Sequence, residues 1–402
     1  MDNGSMMRST EVCVVGGGPA GLAAAIAARR RGFDVVVADS MLPPIDKPCG
    51  EGLMPDGLAA LSTLGIQIPA SEAFVFRGIR FVNEEKSVEA NFPHGYAVGV
   101  RRTVLHRIMV EHAAALGVRF LWGSVVSGLE RDGIRVNGEI LKARWIIGAD
   151  GSQSRVRRWA GLDAHWWKDC RYAFRRHYRV APWSQYMELH WGPDCQIYVT
   201  PIAADEVCVV VMSRNPKLRL DEALSCVPSV ERRLRGKEGA SVERGAATVT
   251  RKLRRVTNGR LALVGDASGG VDAITGEGLR LTFCQAAELA NSLAEGRLDG
   301  YEQAHRRLFW RPALMGQLTL LLGQPGKLRR RAMQALEREP SLLERILAAH
   351  VGDASHSQMA KDAASLAWGM LSAAVPEKSC AGLSAPARAP ELLKPFRKIS
   401  NA

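Results

Sequence analysis

An α/β fold, with a mainly parallel sheet in three layers, an inserted antiparallel β-sheet and C-terminal helices, is what this chain of 402 residues predicts. Three observations carry that expectation. Near the start, a β-branched run, a glycine-rich turn and an alanine-rich segment follow one another. From Arg171 the texture changes to short strands separated by Pro, Gly and Asp. Beyond residue 300 the apolar positions recur at helical spacing, with stops at Pro325-Gly326 and Pro340.

The opening elements justify a nucleotide site. Residues 11–15 read as a buried strand and residues 21–31 as a helix, and Gly16, Gly18 and Gly21 between them match G-x-G-x-x-G. In that pattern the first glycine makes the tight turn. The second lets backbone approach a pyrophosphate, and the third lets helix and strand pack closely. The helix N-terminus, including Ala20, offers N–H groups and a positive dipole end to phosphate. A second strand at 34–38 ends at Asp39, placed to accept hydrogen bonds from ribose hydroxyls. Strand, glycines, helix, strand and acid in register predict a Rossmann-like dinucleotide-binding domain. The same glycines break the apolar run that a secretion signal or a membrane helix needs.

Composition narrows the partners. A net charge of +13 favours anions, but no Lys/Arg block is interleaved with aromatics, so no nucleic-acid partner is expected. The eight cysteines show no C-x-x-C pair and no companion H-x-x-x-H, so neither a metal site nor a disulfide framework is expected, and a reducing cytoplasm fits.

Two further motifs follow. In WIIGADGSQSRVRRWAG (145–161) a strand runs into Asp150-Gly151, then Ser154 and Arg157. Residues 260–295 give a strand ending at Gly265-Asp266, a glycine-rich loop and a helix opening near Gly278. With the first turn these resemble the three fingerprints of the para-hydroxybenzoate hydroxylase superfamily of FAD enzymes. KPCGEGL, residues 47–53, and Asp272 with Thr275-Gly276-Glu277-Gly278 are similar to its geranylgeranyl reductase-like branch. The resemblance spans about residues 10–300 and implies FAD, with NADPH or NADH as reductant. It places Asp266 on a ribityl hydroxyl, the Gly276–Gly278 turn at the flavin pyrimidine edge, and the Cys49-Gly50 loop beside the cofactor. It brings Asp150 close to FAD, the alternative being a surface turn with Arg157 as ion-pair partner. Arg102, with Leu105 three residues on, matches the family's Arg-x-x-Leu, where the Arg contacts the cofactor. Arg101 is the competing candidate, and His106 stands where the family often has Asp. The helix carrying them shows Val104, Ile108 and Ala115 on a periodic face.

The strand-rich segment divides into RYAFRRHYRV, YMELHW, QIYVTPI and EVCVVVM. Alternation puts Tyr172, Phe174, Arg176 and Tyr178 on one face of the first strand and Arg171, Ala173, Arg175, His177 and Arg179 on the other, without saying which is buried. The resemblance makes this sheet the roof of the flavin, with Tyr198, Thr200 and Pro201 as cavity candidates. Cys49, Tyr198 and Pro201 are the candidate catalytic residues.

The expected domains are an FAD-binding first part at 10–165, the antiparallel-sheet substrate domain at 166–255 and an FAD-binding second part at 256–300. A helical segment at 301–375 and a disordered Pro/Ala/Lys-rich tail at 376–402 complete the chain. The stripe Leu314, Leu318, Leu321 and Leu322 reads as a helix covering the FAD domain, peripheral membrane contact being the alternative. The expected substrate is a lipophilic small molecule, and an oligomer is left open. The segments RRHYRVAPW and YVTPI favour hydroxylation of a lipophilic aromatic, phenolic or polyketide compound, using NAD(P)H, O2 and a flavin hydroperoxide. Reduction of isoprenoid double bonds is the alternative. Halogenation and a non-catalytic flavoprotein come behind, Trp166-Trp167 not matching the halogenase Trp-x-Trp-x-Ile-Pro.

Overall fold

The computed structural model describes residues 9–83, 86–322, 327–352 and 355–372. Its larger sheet runs Thr257–Asn258, Leu261–Leu263, Glu139–Gly148, Ser9–Val15, Val35–Asp39, Arg119–Trp122, with the hairpin Val126–Glu130 and Gly133–Val136 branching from Glu139–Gly148. The inner strands pair in parallel and the hairpin and the Thr257–Asn258 edge antiparallel. Val12, Val14, Val35, Val36 and Val37 are fully buried, as expected for central strands covered on both faces. Helix Pro19–Arg30 lies against this sheet, and helices Arg102–Ala115 and Gly278–Ala294 pack on it. The buried face of Arg102–Ala115 is Arg102, Leu105, His106, Met109 and Ala113, whereas Val104 and Ile108 are half-buried and Ala115 is exposed. Val104 and Ile108 do pack against the core, at the flank of a buried face that a polar pair, Arg102 and His106, shares.

The second sheet has the order Arg244–Leu253, His165–Arg179, Glu206–Ser213, Cys195–Ala203, Tyr186–Trp191, Gly78–Asn83, Lys86–Asn91. Its last two strands come from residues 78–91, within the segment expected to belong wholly to the FAD-binding part. Gly78–Asn83 pairs in parallel with Tyr186–Trp191, so the sheet is mixed. That pairing joins the two regions by hydrogen bonds between strands far apart in sequence, which no local pattern announces.

One face of this sheet, with Phe174, Tyr178, Ile197 and Val209, packs on helices Leu220–Ser225 and Pro228–Leu234. The other carries Ala173, Met187, Tyr198 and Met212, and its outer end meets helices Lys327–Arg338 and Pro340–His350. Thus Asp299–Leu322 covers the FAD-binding side, through Gly278–Ala294, while the two helices after it pack on the sheet edge. Leu314 is exposed, while the side chains of Leu318, Leu321 and Leu322, like residues 376–402, lie outside the described residues. Among the described residues no helix is long and apolar enough to cross a membrane.

Candidate active site

The glycines of the first turn differ in what holds them. Gly16 has φ +112°, and a Cβ there would lie 2.4 Å from the Ala149 carbonyl oxygen. A Cβ on Gly21 would lie 1.8 Å from the Gly16 oxygen, so this glycine permits the helix to pack on the strand. At Gly18 the nearest atom to a Cβ is Arg102 Nη2 at 3.9 Å. The protein itself does not need glycine at that position; the space it leaves belongs to the cavity. Asp39 fixes the loop, accepting from Gly17 N–H at 2.6 Å and Met41 N–H at 2.8 Å. His106 Nε2 meets the Gly17 carbonyl oxygen at 2.9 Å. Burial lowers the His106 pKa, so its ring stays neutral and can donate there.

The turn forms one wall of a cavity of about 340 Å³. Gly18, Ala20, Lys47, Cys49, Gly50, Arg102, Asp266, Gly276 and Gly278 line it, so most of the residues singled out by motif converge here. Arg102 is buried, its Nε lacks a hydrogen-bond partner, and its backbone N–H donates to Glu51 Oε1 at 2.9 Å. Arg101 instead pairs with Glu206, which settles which of the two arginines faces the cavity. Gly265 has φ +58° and turns the chain so that Asp266 opens onto the cavity floor. The surrounding protein raises the Asp266 pKa, against the pull of Lys47 and Arg102. Burial likewise raises the Cys49 pKa, opposed first by Arg102, which keeps the group a thiol at neutral pH.

Two motif residues do other work. Asp150 accepts from Ser154 Oγ, from Arg155 N–H at 2.7 Å and from Val156 N–H at 3.1 Å, holding the first turn of helix Arg155–Trp159. Its carboxylate is not in the cavity lining, and Arg157 pairs with Asp163 at 2.7 Å rather than with Asp150. Direct ligation by Asp150 therefore gives way to capping. Thr200 and Pro201 are buried outside the lining, Pro201 presenting its carbonyl to Gly99, where a Cβ would lie 1.8 Å away. Strand alternation turns Pro201 to the face opposite Tyr198, whereas Thr200 shares the Tyr198 face but lies under Gly52, whose Cβ position is 3.6 Å from its methyl carbon.

The roof holds what the sequence reading missed. Ala173, Met187, Tyr198, Val210 and Met212 face the cavity. The Tyr198 hydroxyl is buried without a partner, and burial raises its pKa. On the same strand face as Ala173, Arg171 pairs with Asp272 at 3.1 Å, and Arg175 donates to Glu51 at 2.9 Å and to Asp46. His177 Nε2 lies 2.6 Å from Glu51 Oε2. The period-two pattern contained this face; it did not say that the charged side is turned inward. Glu51, His177 and Cys208 bring ligand-type atoms within 4.8 Å of one another. Arg175 already neutralises the Glu51 carboxylate, so a cation there would meet a guanidinium, and the trio is a hydrogen-bonded cluster rather than a metal site.

Beyond Tyr198 the cavity continues into an apolar annexe of about 60 Å³, sharing Met54, Met187, Tyr198 and Ile274 with it. Phe81, Leu189, Leu343 and Leu347 enclose it, with His350 at its rim bonded to the Thr275 carbonyl oxygen at 2.8 Å. Behind the Gly276 turn, Glu277 pairs with Arg280, which also reaches Asp56 at 3.1 Å. Burial and Glu277 push the Asp56 carboxyl up to about 7, against Arg280 and Arg311.

These features fit FAD. The open cradle at Gly18 and the buried, incompletely bonded guanidinium of Arg102 suit a pyrophosphate. One cavity lined by Gly18 and Arg102, by Asp266, and by Gly276 and Gly278 at the start of helix Gly278–Ala294 suits a cofactor that meets all three motifs.

Comparison with known proteins agrees. Residues 9–308 match the family model described as FAD binding domain. A menaquinone reductase of Mycobacterium tuberculosis is 31% identical over 327 residues, 73% of this chain and 79% of that protein. Digeranylgeranylglycerophospholipid reductase 1 of Methanothermobacter thermautotrophicus is 28% identical over 337 residues, 75% of this chain and 81% of that protein. A rifampicin monooxygenase of Streptomyces venezuelae is 30% identical over 165 residues, 38% of this chain and 34% of that protein. Among solved structures, a flavoprotein/dehydrogenase from Cytophaga hutchinsonii has a TM-score of 0.74 at 19% identity, covering 85% of this chain and 92% of that one. At that identity the likeness concerns the fold.

Proposed function

We propose, on the premise that this chain belongs to the FAD binding domain family of flavoprotein oxidoreductases, that it reduces a carbon–carbon double bond of a lipophilic, isoprenoid-type substrate. It is an FAD-dependent oxidoreductase, with a nicotinamide nucleotide as reductant. The observation that carries the finer reading is the annexe that opens from the cavity between Met54, Met187, Tyr198 and Ile274. Its walls are mainly apolar side chains and offer contact to an apolar chain. Two methionines at the junction can move aside for a branched chain. The relatives that align along most of their length, named as reductases of menaquinone and of an isoprenoid lipid, support the same direction.

Bound FAD supplies a two-electron carrier between nicotinamide and substrate. The chain's part would be to hold it: Gly18, Ala20 and Arg102 at the pyrophosphate, on a turn shaped by Gly16 and Gly21, Asp39 at the ribose, Asp266 at the ribityl chain, and Gly276 with Gly278 at the pyrimidine edge. The N-terminal end of helix Gly278–Ala294 places a positive dipole where negative charge collects on reduction. Cys49 and Gly50 belong to the cavity wall as well.

Hydroxylation of a lipophilic phenol is the second reading, and the unpartnered Tyr198 hydroxyl at the mouth of the annexe favours it, as a group that can hydrogen-bond a phenol. The strand segments that favoured it in the sequence carry less weight here. Pro201 lies off the cavity, and Arg175 and His177 are engaged by Glu51.

The deciding experiment supplies the yellow protein with NADPH or NADH and either menaquinone or a geranylgeranyl lipid under anaerobic conditions, with mass spectrometry of the product. Gain of hydrogen supports reduction. Oxygen uptake and an oxygenated product from a lipophilic phenol, with no anaerobic turnover, would replace it by the second reading.

A further inference from the structure

We propose that Ser241, His177 and Glu51 form a proton path from solvent to the flavin cavity. The three are joined in series. Ser241 is partly exposed, and its Oγ lies 2.8 Å from His177 Nδ1 while accepting the His177 backbone N–H at 3.1 Å. The other ring nitrogen, Nε2, is 2.6 Å from Glu51 Oε2. Glu51, whose side chain is 0% exposed, belongs to the cavity lining beside Cys49, Gly50 and Gly52. Two hydrogen bonds therefore span the distance from surface hydroxyl to cavity wall through an otherwise buried imidazole.

Charge balance does not require His177. Glu51 is matched by Arg175 at 2.9 Å and receives the Arg102 N–H, while Asp46 is matched by Arg175 and Arg244. Cys49 and Cys208 are the remaining titratable groups facing the cluster, and burial raises the pKa of both thiols. The imidazole is thus surplus to neutralisation, yet both its nitrogens are bonded, one outward and one inward. Glu51 is also held at φ +58°, a left-handed backbone that a residue other than glycine adopts only under constraint from its surroundings. Its carbonyl oxygen is fixed by the Val100 N–H at 2.9 Å. That backbone holds the carboxylate against His177 while the residue itself stands in the cavity wall.

The path serves either reading under Proposed function. Reduction combines the unsaturated substrate with NAD(P)H and a proton to give the saturated product and NAD(P)+. Hydroxylation combines substrate, O2, NAD(P)H and a proton to give the alcohol, water and NAD(P)+. Each turnover draws a proton from water into a cavity that the bound cofactor and substrate close. As a proton reaches Nδ1 through Ser241, the Nε2 proton passes to Glu51, which delivers it to the cavity; the ring then exchanges its tautomer to reset.

The test follows proton uptake rather than turnover. FAD bound to the full chain is photoreduced anaerobically in lightly buffered solution containing a pH-indicator dye. The expected result is the same extent of reduction in wild type, Ser241→Ala and His177→Gln, with uptake slowed about 100-fold in His177→Gln and severalfold in Ser241→Ala. His177→Gly should recover its rate when imidazole is added, which a loss of packing alone would not do. Uptake at the wild-type rate in both single variants overturns the proposal. So does a wild-type rate in Ser241→Ala if the His177 variants cannot retain FAD, since that variant leaves the buried ion pairs untouched. The measurement needs no substrate, so failure of the reductase reading and failure of the proton path are separable.

Discussion

The glycine turn at residues 16–21 and the strand face at residues 171–177 stand on facing walls of one cavity and are built on opposite rules. The turn works by absence: no side chain stands at Gly18, and the space is left to the cavity. The strand face works by surplus, with Arg171, Arg175 and His177 all buried and each paired to an acid from another segment. Local backbone geometry can be read from spacing. A buried charge network can be read only when its partners are in place, because each member alone would look like a solvated surface group.

The sharpest way to break the contrast is Glu51→Ala. It strips Arg175 and His177 of their shared partner inside the protein, and loss of about 3–5 kcal/mol of stability is expected from urea unfolding. A loss below about 1 kcal/mol would mean that Asp46 alone suffices for Arg175. The turn separates into two behaviours. Gly21→Ala should cost roughly 1–3 kcal/mol with or without FAD, since its Cβ meets backbone. Gly18→Val should leave apo-protein stability nearly unchanged and yield colourless protein, since only the cofactor's space is taken. Yellow Gly18→Val protein would remove the pyrophosphate assignment.

Asp56 sharpens the comparison through pH. Its carboxyl titrates at about 7 in the folded state against 3.8 as the reference value, so the folded state holds the proton more tightly. Stability from this group is therefore greatest at low pH and declines between pH 4 and pH 7. Asp56→Asn should remove that decline, so the variant's melting temperature gains on wild type as pH rises through this window. Parallel curves would show that Arg280 and Arg311 compensate fully. The smallest effect belongs to Tyr198→Phe. Removing an unpartnered buried hydroxyl should change stability by less than about 1 kcal/mol. A raised KM for a phenolic substrate, with an isoprenoid hydrocarbon chain unaffected, would favour the second reading.

Whereas the choice of Arg102 over Arg101 came from the Arg101–Glu206 pair, the sequence by itself determined the parallel sheet, the glycine turn, and the Gly265-Asp266 and Gly276–Gly278 segments. These depend on residues close together in the chain, where glycine spacing and β-branched runs restrict the backbone directly. Only the tertiary structure decided that Asp150 caps a helix, that Pro201 lies off the cavity, and that residues 78–91 complete the second sheet. It also decided that Glu51 meets a histidine 126 positions away. Strand alternation leaves two faces equally open. Here both are buried: the aromatic face packs on two helices, and the charged face can be buried because acids from distant segments, Glu51 among them, pair with it.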